Sequence, residues 1–160
     1  MDVLREFATF RANTIIPLDE GWRFILDASQ EGERLAYYSP TTLFEYTDVI
    51  SCGKSWESQG FSYDGMAWYR RYVDIPEDWF PNRIKLVAEG VDDAYTVWVN
   101  GEKVATHGSF TDHEQTVWLK QTVTDITDYV VAGEENFIVL QVVDIVGQGG
   151  VYKPLYLAVE

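Results

Sequence analysis

The chain has 160 residues, 46% of them apolar, and a net charge of −14 from 26 acidic and 12 basic side chains. This length fits a single domain with one core, because a chain of this size buries about two-thirds of its unfolded surface. The acidic balance and the lack of any lysine or arginine cluster longer than Arg70-Arg71 argue against nucleic acid and anionic membranes as partners. A neutral, hydroxyl-rich ligand such as a sugar is compatible with this surface.

The first residues, MDVLREFATF, carry two acids and no unbroken apolar stretch, so we expect no secretory signal. No stretch approaches the ~20 apolar residues of a membrane span. Residues 1–17 are expected to be an extension or a first strand, and residues 18–160 a single domain. The compartment stays open, and it would be extracellular or periplasmic for a domain taken from a secreted enzyme. Cys52 is the single cysteine, which excludes an intramolecular disulfide and favours a structural role.

Turn residues recur every 8–15 residues or so, which is typical of short strands. Residues 27–60 have weak periodicity and are predicted to form long loops. In AYTVWVNGEKVATH, alternate residues point to opposite faces, and Asn100-Gly101 favours a type I′ hairpin turn. NFIVLQVVDIV suits a strand that is covered on both sides. In the last strand, VYKPLYLAV, Pro154 indicates an edge position or a bulge.

Helix is scarce in this pattern. The best candidate is TDITDYVVAGEEN, where Thr124 or Asp125 would cap a short helix and Gly133 would end it. Alternating apolar residues predict a core shared by several strands: Tyr69, Val73, Ile75, Leu86, Val97, Val99, Leu119, Val139 and Val143. We therefore predict an all-β protein, a two-sheet antiparallel β-sandwich of the jelly-roll type.

The strand AWYRRYVDIP places Arg71 on the same face as Tyr69, Val73 and Ile75, which is the inward face. A buried arginine is costly unless carboxylates and carbonyls satisfy it. Two interpretations follow: Arg71 pins loops to the sandwich, or it contacts a ligand near the mouth of the sandwich. Its candidate carboxylate partners are Asp92, Asp93, Asp125 and Asp144.

Catalysis by these residues is not predicted. With so many acids, carboxylate pairs such as Asp92-Asp93 and Glu134-Glu135 arise by chance, and both pairs are interpreted as solvated loop residues. His107 and His113 lie six positions apart and lack the spacing of a helical metal pair. No nucleophile-elbow motif supports a hydrolase triad.

Sugar binding is better supported, because sugar rings stack on exposed aromatic side chains while planar polar groups hold their hydroxyls. Aromatic residues make up 15% of the chain. The aromatic residues expected in loops or on outward strand faces are Trp56, Tyr63, Trp68, Trp79, Trp118 and Tyr152. Each of them has an alternative role as a lid or a strand-face residue of the sandwich.

The segments LDEGWRFILD, YDGMAWYRRYVDIPEDW, VWVNG and GQGGVYKPLYL, in this order, resemble the amino-terminal sugar-binding domain of glycoside hydrolase family 2. This is the family of β-galactosidases and β-glucuronidases, and the similarity spans roughly residues 18–159. The resemblance implies a galactose-binding-like jelly roll, a fold that free-standing carbohydrate-binding modules also use. It also implies a catalytic barrel elsewhere in the complete enzymes, and therefore no hydrolase activity in these residues.

The resemblance places a ligand site on the loops at one end of the sandwich. The glycine-rich segment DIVGQGGVYKP matters most there, because Gly147, Gly149 and Gly150 let the backbone turn tightly and a ligand approach. Eight residues are predicted to contact the ligand: Tyr63, Asp64, Trp68, His107, Asp144, Gln148, Tyr152 and Lys153. The alternative is that the glycines only form a bulge where the chain changes sheet and that Asp144 pairs with Arg71.

No cofactor is expected apart from a calcium ion, which modules of this fold often hold between an early loop and the last strand. Oxygen ligands of the kind that calcium selects are offered by Asp19, Glu20, Asp27 and Glu160. The alternative, which we favour, is that these four are ordinary surface acids.

Three functions remain open at this point. The first is a non-catalytic carbohydrate-binding module, attached to a glycoside hydrolase, that holds a glycan. The second is a structural accessory domain of a family 2 enzyme with no independent sugar binding. The third is a sandwich whose loops recognise protein. A fold by itself does not decide between them.

Overall fold

The computed structural model describes residues 15–160. Its ten strands are β1 (Ile15–Pro17), β2 (Trp22–Leu26), β3 (Asp48–Ile50), β4 (Gly65–Asp74), β5 (Ile84–Ala88), β6 (Ala94–Val99), β7 (Glu102–His107), β8 (Thr122–Asp125), β9 (Glu135–Asp144) and β10 (Leu155–Val159). Three single-turn 3₁₀ helices cover Glu57–Gln59, Glu77–Trp79 and His113–Gln115. Among these described residues no helix is long enough to cross a membrane.

The strands form two antiparallel sheets. One sheet has the order β1-β10-β5-β8 and the other has the order β3-β2-β4-β9-β6-β7. The main core lies between them and includes six of the predicted core residues: Tyr69, Val73, Ile75, Leu86, Val97 and Val99. The predicted all-β two-sheet sandwich is confirmed. Of the predicted first segment, residues 15–17 form β1. Residues 1–14 lie outside the described part of the chain, so the expectation that they carry no secretory signal stays a prediction.

Three core predictions need correction. Leu119 is 65% exposed, because it lies in the loop before β8. Val139 and Val143 are buried, but the alternation of β9 points them away from the main core, and Val139 packs with Trp68 and Trp98 on the outer face of the six-stranded sheet. Because β9 is covered on both faces, as predicted, its apolar residues alone do not show which face is inward.

The outer face of the six-stranded sheet is covered by the long loop between β2 and β3. The ring of Tyr38 stacks on Trp98 with centroids 4.1 Å apart. Arg70 donates hydrogen bonds to the carbonyl oxygens of Tyr37, Ser39 and Thr42 and so holds the loop on the sheet. The loop prediction for residues 27–60 is confirmed apart from β3 and one helical turn.

The β6–β7 hairpin forms as predicted, with Asn100 at φ +51° and Gly101 at φ +85°. The predicted short helix after Thr124 is absent. Ile126 is fully buried and donates a backbone hydrogen bond to Ile84, which keeps the chain beside β5. The carboxylate of Asp125 instead accepts from the backbone and hydroxyl of Thr127 in a turn.

Two further predictions are wrong. Strand β10 lies inside its sheet, between β1 and β5, and not at an edge. Pro154 precedes the strand, where its missing N–H costs no ladder hydrogen bond.

Arg71 faces none of the four proposed carboxylates, because it pairs with Ile138 whereas Asp144 pairs with Gly65 at the other end of β4. Its guanidinium donates instead to the carbonyl oxygen of Glu20.

Candidate functional site

A group of carboxylates gathers where β9 ends and β4 begins. We call it the acidic end, and it consists of Glu57, Asp64, Asp92, Asp93 and Asp144. Oxygen atoms of Glu57, Asp64 and Asp144 all lie within 4.8 Å of one another, and so do those of Asp92, Asp93 and Asp144. Asp144 belongs to both groups because it is the last residue of β9, directly opposite Gly65 in the ladder.

Asp144 is the central residue of the acidic end. Its side chain is 1% exposed, and neither carboxyl oxygen has a hydrogen-bond partner among the described residues. Burial raises the pKa of Asp144 to about 8, with further contributions from the adjacent carboxyl group of Asp64 and from the charges of Asp92 and Glu57. Buried carboxyl oxygens are rarely left without a partner, so Asp144 is a candidate functional residue, and its protonated form can share a hydrogen bond with the adjacent Asp64.

Asp93 has a different, structural role. It is fully buried, and its two carboxylate oxygens lie 2.9 Å from Nδ1 of His113 and 2.7 Å from the backbone nitrogen of Ile145. Its backbone carbonyl also accepts from Val117. Asp93 therefore ties three segments together at this end of the sandwich.

Asp92 exchanges backbone hydrogen bonds of 3.1 and 3.2 Å with Gly150. Burial raises the pKa of Asp92 to about 7, and its neighbour Asp93 adds to the effect. The interpretation of Asp92-Asp93 as solvated loop residues is wrong. The interpretation of Glu134-Glu135 fits the structure, since both are exposed.

The glycines of the loop after β9 contribute to packing as well as allowing the chain to turn. A β-carbon on Gly149 would lie 2.5 Å from the indole of Trp56, and one on Gly150 would lie 2.6 Å from the hydroxyl of Tyr69. The close approach that these two glycines allow is therefore to the aromatic core. Gly147, at φ +89°, has no atom within 4 Å of the place that a β-carbon would take, so it stays open to solvent.

Several aromatic residues expected on the surface lie in the interior. Trp56 and Trp68 are fully covered, and Trp79 is 5% exposed. The indole N–H of Trp68 donates to Asp27 beneath the long loop, so its face is not available to a sugar. Trp118 is 42% exposed and Tyr152 is partly exposed, and the Tyr152 hydroxyl donates to the Trp118 carbonyl. These two remain the stacking candidates at this end.

The other predicted contact residues occupy varied positions. Asp64 is exposed at the mouth of the acidic end, and Gln148 is exposed on the glycine loop. The hydroxyl of Tyr63 donates to the carbonyl of Met66, which fixes its half-buried ring. The ammonium of Lys153 lies 5.7 Å from the centroid of the Tyr152 ring.

His107 lies between the two sheets, stacked on Tyr95, with Nε2 2.8 Å from the hydroxyl of Thr124. Burial lowers the pKa of His107. Of the eight predicted contact residues, Asp64 and Asp144 therefore lie close together. Four others lie on the adjoining loops: Tyr63, Gln148, Tyr152 and Lys153. The remaining two, His107 and Trp68, have their partners inside the protein.

Glu57 and Asp92 are the residues that sequence reasoning missed. The pair Asp92-Asp93 was visible but looked like a solvated turn, and only burial distinguishes it. Glu57 lies in an irregular segment whose pattern carries no signal of its position. In the structure its second oxygen accepts from the backbone of Gly149 at 2.9 Å while the other is buried without a partner.

The four calcium candidates do not meet. Asp27 accepts hydrogen bonds from two backbone N–H groups and from Trp68. Glu160 follows β10 at one end, beside Lys85, while Asp19 follows β1 at the opposite end of β10, roughly 20 Å away at the rise of a strand. Calcium at these residues stays an untested prediction.

Comparison with known proteins identifies the fold and its family. Residues 7–152 match the model of the glycosyl hydrolases family 2 sugar binding domain. The chain belongs to this family. A β-galactosidase from Priestia megaterium is 23% identical over 176 residues, covering 88% of this chain and 16% of that protein.

Solved structures of the β-glucuronidase from Ruminococcus gnavus share the fold. The apo structure superposes with a TM-score of 0.78 at 16% identity over 91% of this chain and 28% of that chain. The complex with D-glucuronic acid gives 0.79 at 15% identity over 94% and 30%. The chain thus spans less than a third of these relatives. As a sugar-binding domain of family 2, it is a non-catalytic part of glycoside hydrolases, which confirms the prediction that its residues carry no hydrolase chemistry.

Proposed function

We propose that this family 2 domain binds a sugar at the acidic end and does so while attached to a catalytic glycoside hydrolase domain. The observation that carries the proposal is the carboxyl group of Asp144, buried at the end of β9 with both oxygens lacking a partner among the described residues. Sugar hydroxyls are small donors that would satisfy these oxygens.

The protonation state of the acidic end suits a neutral polyol. With a pKa of about 8, Asp144 holds its proton at neutral pH and can both donate to a hydroxyl and accept from one. Asp64 stands exposed beside it and offers acceptors at the mouth. The partly exposed rings of Trp118 and Tyr152 supply apolar faces on which sugar C–H groups can stack.

The second candidate function is an accessory domain that binds no sugar alone. It is favoured by the burial of Trp56, Trp68 and Trp79, which removes three of the expected stacking residues. Exposed apolar side chains such as Leu119 and Val146 would then contact a neighbouring domain, and the acidic end would face that domain.

Affinity electrophoresis in gels containing galactan, xylan, pectin or agarose separates the two candidates. We expect retardation by at least one neutral polysaccharide, and we expect Asp144→Asn to reduce it. Glu134→Gln, which removes an exposed carboxyl just before β9 and at the far end of that strand from Asp144, is the matched control and should migrate as the parent does. Migration of the parent unchanged across the whole panel would favour the accessory domain and overturn the proposal.

A further inference from the structure

A groove lies on the outer face of the six-stranded sheet, away from the acidic end. Its volume is about 510 Å³, and it runs between the strands β2 and β4 and the last part of the long loop. Arg23 and Arg70 line it from the outer face together with the rings of Phe44, Tyr72 and Phe137, and Arg71 reaches it from the inward side, beside Trp22 and Gly21. We call it the arginine groove. It gathers three of the 12 basic residues of a chain that carries 26 acids.

The arginines are arranged in a way that costs stability. Arg23 and Arg70 are direct partners in the β2–β4 ladder, so two like charges face each other on one side of the sheet. Among residues 15–160, no carboxylate oxygen lies within 4 Å of any of the three guanidinium groups, whereas Arg34, Arg83, Lys85 and Lys103 have such partners. Lys54, Lys120 and Lys153 also lack one, but they lie in three separate loops. Carbonyl groups and aromatic rings therefore surround Arg70 and Arg71, and the charge of Asp19 acts on Arg71 from beyond contact distance.

Two of the three guanidinium groups are held rigidly. Arg70 donates to three loop carbonyls and lies 4.6 Å from the ring centroid of Phe44 and 5.0 Å from that of Phe137. Arg71 donates to the carbonyl of Glu20 and lies over Trp22 at 5.8 Å. Carbonyl groups satisfy hydrogen-bond donors but leave the positive charge in place, so burial lowers the pKa of both arginines.

Arg23 completes the groove as an exposed cation. It makes no hydrogen bond or ion pair with another described residue. Next to it, Tyr72 is 48% exposed, which is a large apolar face for a strand residue. The guanidinium group of Arg23 has no partner among the described residues, and it lies beside the fixed charge of Arg70 and the exposed ring of Tyr72. Together these groups suit a ligand that has a planar carboxylate and an apolar face.

We propose that the arginine groove binds a carboxylate-bearing sugar, a hexuronic acid unit of an acidic glycan. The carboxylate binds the free fork of Arg23 and neutralises the Arg23–Arg70 pair, and the sugar ring stacks on Tyr72. The choice of a sugar among carboxylates follows from the family of sugar-binding domains to which the chain belongs. This second site is separate from the acidic end and does not depend on sugar binding there.

The test is titration calorimetry with trigalacturonic acid and with its methyl ester, which keeps the carbon skeleton and removes the charge. We expect the acid to bind and the ester to bind at least about tenfold more weakly, as the loss of a charge-assisted hydrogen bond implies. Affinity for the acid should fall as sodium chloride is raised, because salt screens exposed charges.

Three variants make the outcome decisive. Arg23→Gln should lower affinity for the acid about tenfold or more, because it removes the free fork. Arg83→Gln, which removes a positive charge from the other sheet, and Lys103→Gln, which removes one from β7 at the far edge of the six-stranded sheet, should bind the acid as the parent does. The proposal would be overturned if the acid does not bind, or if it binds no more tightly than its ester or than a polyglutamate peptide. It would also be overturned if Arg23→Gln binds the acid with the affinity of the parent.

Discussion

Asp144 combines two properties that conflict in an isolated domain, since its carboxyl group is buried and its oxygens have no partners among the described residues. Burial without a partner penalises the charged form, and the neighbouring carboxylates add to this penalty. The residue therefore lowers the stability of the domain at high pH, and this cost is understandable if a ligand occupies the position.

The first prediction concerns pH. The pKa of Asp144 is about 8 in the folded chain and near 4 in the unfolded chain, so the folded state holds more protons between these values. The free energy of unfolding then falls as pH rises from about 4 to about 8. In Asp144→Asn this contribution is absent, and the variant should exceed the parent in stability at pH 8 by about 1 kcal/mol or more.

Urea unfolding at pH 5, 6.5 and 8 measures the effect. His107, whose pKa is lowered by burial, contributes with the opposite sign through about pH 6.5 but does so equally in parent and variant. Glu134→Gln should follow the parent at every pH. If the stabilities of parent and Asp144→Asn change in parallel, Asp144 does not titrate as described.

The second prediction separates two tryptophans. Trp68→Ala should lower the free energy of unfolding by about 3 kcal/mol or more, because it removes a fully buried ring and takes one donor away from Asp27. Trp118→Ala, at a site that is 42% exposed, should cost less than half as much and should instead weaken sugar binding. Equal losses of stability in the two variants, measured by urea unfolding, would contradict this assignment.

At the scale of elements, the β6–β7 hairpin shows how a local signal and tertiary contacts reinforce each other. Asn100 adopts φ +51°, and its side chain donates to the Tyr129 carbonyl and to Asn136 and accepts from the backbone of Phe137. The turn residue therefore also connects the hairpin to β9 and to the loop before it. Sequence predicted the turn but not these bonds.

The third prediction tests this connection. Asn100→Ala should destabilise the chain by about 2 kcal/mol or more, since it strains a positive φ and leaves polar groups of β9 without partners. Asn82→Ala is the matched control, because the Asn82 side chain makes no hydrogen bond with a described residue. A loss in Asn100→Ala no larger than in Asn82→Ala, by thermal unfolding, would show that the side-chain bonds contribute little.

Other elements show where sequence patterns stop being informative. The strands with clear alternation, such as β6, were predicted with the correct inward face. The long loop between β2 and β3 was predicted only as irregular, although it covers Trp68 and Trp98 and so makes a second apolar layer outside the sheet. Loop packing depends on contacts between distant segments, such as Arg70 with Tyr37, and these leave no periodic signal.

Across the sandwich, the acidic end and the arginine groove lie at different places along β4, and the exposed acids Asp74 and Glu135 are paired at the end of β4 beyond the groove. The acidic end collects carboxylates where β4 starts, and the arginine groove lies near where β4 finishes. Sequence placed Asp64 and Asp144 in one site because the family resemblance aligned their loops. It could not pair Arg23 with Arg70, because that juxtaposition depends on the register of two strands that are more than forty residues apart.

Sugar binding at the acidic end through Asp144 is the function that we propose. Its most direct test is nuclear magnetic resonance of the ¹⁵N-labelled chain, titrated with neutral disaccharides of galactose, glucose, xylose and mannose. We expect at least one disaccharide to shift the backbone signals of Asp144, Gly149 and Tyr152 in a saturable manner, and we expect Asp144→Asn to reduce the effect. No saturable shift with any of the four, or shifts confined to residues away from the acidic end, would show that no sugar binds through Asp144.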